Sequence, residues 1–209
     1  VELADALEIV RFVVQGASGG GPYSAACAYK IPDRLTAAAI ISGLGPINLG
    51  TKGMTRGNRV GFFVARRLPW LLRLPLWWTG RQSRNIESVE KGLLKMSKDL
   101  PEPDRKVLLD PRLRRLCAEM MCEAFRQGTK GLFHEETLYV KPWGFKLEEI
   151  SRRVKVYLWH GELDMNVPIF MGRAVAKAIP NCEAKFYPQE GHLSTTLNHL
   201  DEIISTLSS

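Results

Sequence analysis

Apolar and polar positions along this chain follow two rhythms. Short runs rich in β-branched and aromatic residues predict strands at Ile9 to Gln15, Thr36 to Gly43, Val154 to Trp159 and Ala184 to Pro188. Stretches of helical spacing stand between them. The small, Ala-rich run Tyr23 to Lys30 predicts a helix packed closely on a sheet, with Pro32-Asp33-Arg34 turning the chain into the next strand. Val167-Pro168 opens a helix over Ile169 to Ile179, and Thr195 to Leu207 keeps Leu197, Leu200, Ile203, Ile204 and Leu207 on one helical face. The interval between the second and third strands is too long for a simple crossover, so it predicts an inserted unit. Its residues read as helices. Gly61 to Leu74 is apolar and basic, and Glu87 to Leu100 is amphipathic. Asp110-Pro111 is an N-cap followed by a first-turn proline, opening a helix that carries Leu113, Leu116, Cys117, Met120, Met121 and Phe125 and stops near Gly128. The pattern divides the chain into a core, residues 1–43 and 141–209, and an insertion, residues 44–140.

The first strand runs into Gly16-Ala17-Ser18-Gly19-Gly20, which reads G-x-S-x-G. Between a strand and a helix, that motif sets a serine hydroxyl on a tight turn where it can act as a nucleophile. A side chain at Gly16 or Gly20 is expected to collide with the neighbouring strand or helix. The pentapeptide alone also fits a Gly-rich turn with a bystander serine, or one that binds phosphate. The phosphate patterns G-x-G-x-x-G and G-x-x-x-x-G-K-[ST] are absent.

A nucleophilic serine needs a base, and the base needs an acid to orient it. The four histidines are His134, His160, His192 and His199. His192 follows the last strand in Gln189-Glu190-Gly191-His192, and Asp164 follows the third in His160-Gly161-Glu162-Leu163-Asp164. Each role has a rival. His160 sits at a strand end, where a packed structural histidine is the ordinary case. His199 lies in the closing helix and His134 in a polar stretch far from any strand end. Glu162 is an alternative acid, nearer its strand than Asp164.

Taken in order, Gly16 to Gly20, His160 to Pro168 and Glu190 to His192 resemble the α/β-hydrolase fold superfamily, in its large group of ester and related hydrolases. The resemblance implies an α/β fold: the C-terminal portion of an α/β-hydrolase sheet, mostly parallel strands flanked by helices, with the insertion as a helical cap over the active site. It makes Ser18 the nucleophile, Asp164 the acid and His192 the base, with the Gly19 N–H in the oxyanion hole. It implies a carboxylic ester hydrolase acting through an acyl-enzyme on a small apolar ester-like substrate, with no cofactor and no metal. The serine argues against relatives that use an aspartate nucleophile. Esterase, lipase, amidase, peptidase and carbon–carbon hydrolase all stay open.

In that superfamily the nucleophile strand is about the fifth of about eight. Here it lies one short helix from the first residue. The resemblance therefore implies a fragment of a longer enzyme, or a sheet completed by a homo-oligomer or strand swap, or a binding module with an impaired site. A second oxyanion donor normally comes from an earlier loop, and its loss costs about 2.7–4 kcal/mol.

Composition narrows the remaining classes. The 209 residues suffice for one domain with a sizeable core, and no apolar run reaches membrane-span length. No leader peptide is evident. Cys27, Cys117, Cys122 and Cys182 form no C-x-x-C pair and show no metal spacing, which predicts buried free thiols and a reducing, cytoplasmic setting. The net charge is +7, yet Lys52 to Arg84 alone holds eight cations and no carboxylate, interleaved with Trp70, Trp77 and Trp78. This pattern fits a cap helix with arginines in water, or a module that binds an anionic lipid surface or a partner through its basic cap. No nucleic-acid fold signature accompanies it, so nucleic acid is not expected as a partner.

Overall fold

The computed structural model describes residues 1–208. After α1 (Glu2–Ala6), strand β1 (Phe12–Ala17) leads through a 3-10 turn over Ser18–Gly20 into α2 (Gly21–Lys30), then β2 (Leu35–Ile41). A long run of helices follows: α3 (Arg56–Arg67), α4 (Arg73–Gln82), α5 (Ile86–Met96), α6 (Glu102–Leu109), α7 (Pro111–Ala124) and α8 (Lys130–Tyr139). The chain then forms β3 (Lys155–Gly161), α9 (Ile169–Ala178), β4 (Cys182–Tyr187), α10 (His192–Asn198) and α11 (Leu200–Ser208).

All four strands are parallel, in the order β1-β2-β3-β4. Alternation along β2 explains the layering, because successive side chains leave opposite faces. Ala38 and Ile40 meet Ala25 and Ala28 of α2 and Val175 of α9 on one face. On the other, Ala39 and Ile41 pack with Trp159, Tyr187 and Ile203 of α11. The helices therefore cover both faces of the sheet. Leu35, Ile41 and Leu158 are fully buried, and each such side chain stabilises the fold by about 1.5–3 kcal/mol. Among the described residues β1 pairs only with β2, and Gln15 and Ala17 on it stay exposed.

The insertion is more finely divided than its periodicity predicts. The helix expected over Gly61 to Leu74 is broken at Leu68-Pro69, because proline cannot continue α3. Three helices of the insertion, α4, α6 and α8, are not among those the periodicity predicts. Val89 and Leu93 of α5, Val107 and Leu108 of α6 and Ala118 of α7 form the insertion's own core. The expected closing helix is two helices, because the chain bends at His199 between α10 and α11. The cysteines are free but only half-buried, less enclosed than expected.

Candidate active site

Parallel strands end on one edge of the sheet, so the loops that follow them converge there. Ser18 comes directly after β1, Asp164 three residues after β3 and His192 five residues after β4. The structure brings these three residues together. His192 Nε2 lies 3.0 Å from Ser18 Oγ, and His192 Nδ1 lies 2.8 Å from Asp164 Oδ2. With Nδ1–H donating to the carboxylate, Nε2 is left as the acceptor facing the serine hydroxyl. The other Asp164 oxygen, Oδ1, accepts the Asn166 and Val167 N–H groups, both at 2.8 Å. The Asp164 carboxylate is thus fixed by its own loop.

Ser18 adopts φ +52°, a left-handed conformation that non-glycine residues rarely take. Its carbonyl accepts the Leu44 N–H at 2.9 Å, which ties the turn to the loop after β2. A Cβ at Gly16 would overlap the Gly20 carbonyl, so only glycine lets the chain fold back on itself here. Gly20 differs from expectation: a Cβ there meets open space. The close approach of helix to sheet belongs instead to Gly21, whose Cβ would press on the Gly43 backbone. Gly19 follows the serine, with its Cα facing the Tyr139 hydroxyl, where a Cβ would overlap that oxygen.

Opposing electrostatic effects act on His192. Burial lowers the His192 pKa, but the Asp164 charge and hydrogen bond, with Asp104 behind them, overcome that and raise it above the ordinary 6.5. His160 is shifted the other way, by burial ahead of the opposing pull of Asp164. It is fully buried, its Nε2 donates to the Val167 carbonyl at 2.7 Å, and its Nδ1 has no partner. It pins the acid loop from behind and does not reach Ser18.

The other rivals stand elsewhere. Glu162 pairs with Arg173 at 2.6 Å. His199 stacks on Tyr187, with ring centroids 3.8 Å apart, and faces Glu190 at 3.3 Å. His134 is exposed on α8. Burial pushes the Cys182 thiol up to about 11 and raises those of Cys27 and Cys117, so these sulfurs are poor nucleophiles. Among the described residues no cluster of His, Cys, Asp or Glu could hold a metal, and no helix is long and apolar enough to cross a membrane.

Two neighbours of the site were missed in the sequence. Asp104 of α6 accepts N–H groups from the start of α10, and Tyr139 of α8 covers Gly19. A single acid in a helix's first turn, 88 residues from its partner, gives no local signal. A cavity of about 680 Å3 lies elsewhere, lined by Ile47, Leu49, Trp143, Phe145, Leu147 and Ala178 among others, with none of Ser18, Asp164 and His192.

No family model and no curated protein matches this sequence. Solved structures do. The chain is similar to an α/β hydrolase fold protein from Nakamurella multipartita, at TM-score 0.61 and 18% identity over 99% of this chain and 71% of that one. It is similar to the meta-cleavage product hydrolase CumD from Pseudomonas fluorescens IP01, at TM-score 0.60 and 17% identity over 98% of this chain and 65% of that one. A serine hydrolase from the polyaromatic hydrocarbon-degrading bacterium Cycloclasticus zankles gives TM-score 0.59 and 16% identity, over 99% of this chain and 65% of that one. This chain thus spans about two thirds of the length of these proteins. Four parallel strands sandwiched by helices, with a helical insertion between β2 and β3, have the α/β-hydrolase fold.

Proposed function

We propose that this chain is a serine hydrolase that cleaves carboxylic esters through an acyl-enzyme on Ser18. The observation that carries the proposal is the hydrogen-bonded chain from Ser18 through His192 to Asp164, built on a strained serine. In this reading His192 Nε2 takes the Oγ proton as Oγ attacks the ester carbonyl, and Asp164 stabilises the imidazolium. The Gly19 N–H donates to the developing oxyanion. Collapse of that intermediate breaks the bond to the leaving alkoxide, which takes the proton from His192 and departs as an alcohol. His192 then removes a proton from water as the water oxygen attacks the acyl carbonyl, and collapse breaks the bond to Ser18 Oγ, which takes that proton back from His192 as the carboxylic acid leaves. The similarity to a serine hydrolase from Cycloclasticus zankles supports the same reading. The helical insertion acts as the cap.

The test is stopped-flow hydrolysis of p-nitrophenyl esters of graded acyl length. A burst of nitrophenol equal to the enzyme, absent in Ser18→Ala, is the expected result. Hydrolysis that survives Ser18→Ala would refute the nucleophile.

A second observation favours a location for that activity. Phe63, Trp70, Leu74, Trp77 and Trp78 are each more than half exposed, within the stretch of eight cations and no carboxylate. We propose that this segment docks on an anionic lipid surface, aromatics in the interface and arginines on headgroups. Sedimentation should show binding to phosphatidylserine vesicles, weakened in Trp77→Ala/Trp78→Ala and unchanged in Ser18→Ala. Equal binding to neutral phosphatidylcholine, or none at all, would rule it out.

A further inference from the structure

One buried acid is not used by the proposed chemistry. Asp104, on the first turn of α6 in the insertion, is 1% exposed. Among the described residues its side chain is not in a salt bridge with any lysine or arginine. A buried carboxylate is costly unless its oxygens are satisfied, and these oxygens are satisfied by one place only. Oδ2 accepts the His192 N–H at 2.8 Å, while Oδ1 accepts the Leu193 N–H at 2.9 Å and the Ser194 N–H at 3.0 Å. These are the donors that a helix leaves without partners at its start. Asp104 therefore caps α10 from a different part of the chain, and α10 begins at the candidate base.

The surrounding contacts match. Gly191 precedes His192, and a Cβ there would overlap the Asp104 carboxylate. Leu193 and Leu197 of α10 pack on the insertion's core. The insertion also grips the acid loop: the Thr55 N–H donates to the Met165 carbonyl at 2.8 Å, and Asn58 Nδ2 to Asn166 Oδ1 at 3.3 Å.

We propose that Asp104 is a positioning residue for His192, so that the helical insertion, and not the sheet alone, fixes where the base stands. The role rests on the hydrolase reading above, though its structural part can be tested apart from it. The ionisable groups around His192 are Asp164 on Nδ1, Ser18 at Nε2, His160 behind Asp164 at 3.6 Å, and Asp104 below the backbone. Burial lowers the His192 pKa, and the two carboxylates raise it.

The experiment uses the full chain with Asp104→Asn and Asp104→Ala, reading both the NMR titration of the His192 imidazole and ester kinetics against pH. Asparagine keeps an acceptor oxygen for the helix start and removes the charge. In Asp104→Asn, His192 is expected to titrate at lower pH, with the acid limb of kcat/KM moving alongside it. In Asp104→Ala, kcat should fall roughly ten- to a hundredfold with KM for a small ester nearly unchanged, and Asp104→Asn should recover part of the loss. An unshifted His192 titration in Asp104→Asn overturns the proposal, as does an unchanged kcat in a folded Asp104→Ala. If Asp104→Ala does not fold, the Asp104→Asn titration decides alone. A wild-type chain without ester turnover would refute the hydrolase reading, while the titration would still judge Asp104.

Discussion

The loops at the strand ends and the helical insertion build the same site by opposite means. The loops act over short distances. Ser18 directly follows β1, and the Asp164 carboxylate is held by N–H groups two and three residues on. The insertion acts over long ones, reaching His192 from Asp104 across 88 residues and covering Gly19 with Tyr139. In the proposed account, local backbone geometry presents Ser18, Asp164 and His192, and contact from the insertion sets where His192 stands.

Removing a strand-end residue should have the largest effect. Ser18→Ala and His192→Ala should each lower kcat by roughly ten-thousandfold or more, with the melting temperature nearly unchanged in Ser18→Ala and lowered in His192→Ala, which leaves the buried Asp164 carboxylate without its imidazole partner. A small loss would mean the loops do not hold the chemistry. Next come the glycines. Gly16→Ala forces the turn off the Gly20 carbonyl and should destabilise the fold by about 1–3 kcal/mol in chemical denaturation, whereas Gly20→Ala should be within about 0.5 kcal/mol of wild type. Equal effects would remove the distinction between a packed and an open glycine. Gly19→Ala should impair turnover by pressing on Tyr139, and adding Tyr139→Phe should restore part of it by removing the oxygen that is struck.

The pH dependence separates the two histidines. The acid limb of kcat/KM should lie above 6.5, because His192 must be neutral to accept a proton and its pKa is raised. The same shift makes its share of stability complete below 6.5 and lost as pH rises through the folded value. His160 has the opposite sign: its folded pKa is depressed, so its share is complete above 6.5 and lost as pH falls through the lower value. His160→Gln should therefore flatten the acid side of the stability curve, measured by urea unfolding at each pH, without moving the acid limb of the rate. The smallest effect is expected at Glu162. Its pair with Arg173 is solvent-exposed, and Glu162→Gln should change stability by less than about 0.5 kcal/mol and leave kcat alone.

The legible part of the molecule was the part with short-range causes. The four strands, α2, α7 and α9 follow from local periodicity, and Ser18, Asp164 and His192 each sit just beyond a strand, where the sequence order puts them. The strand expected from Ile9 starts at Phe12, because the carbonyls of Ile9 and Val10 are taken by the Arg34 guanidinium instead of a neighbouring strand. The motif does not say which glycine faces the sheet, and the fold gives to Gly21 the place expected for Gly20. Apolar spacing persists across His199 and so predicts one closing helix, whereas the chain bends there, with the His199 ring stacked on Tyr187. Asp104 and Tyr139 were invisible because nothing near them in sequence announces a partner so far along the chain.

Intact-mass spectrometry after treatment with a fluorophosphonate is the most direct test of the Ser18–His192–Asp164 chain. Attack on phosphorus needs an activated serine and no particular acyl group. A single adduct that vanishes in Ser18→Ala and in His192→Ala is the expected result. An unmodified wild-type mass, or an adduct that persists in Ser18→Ala, would contradict it.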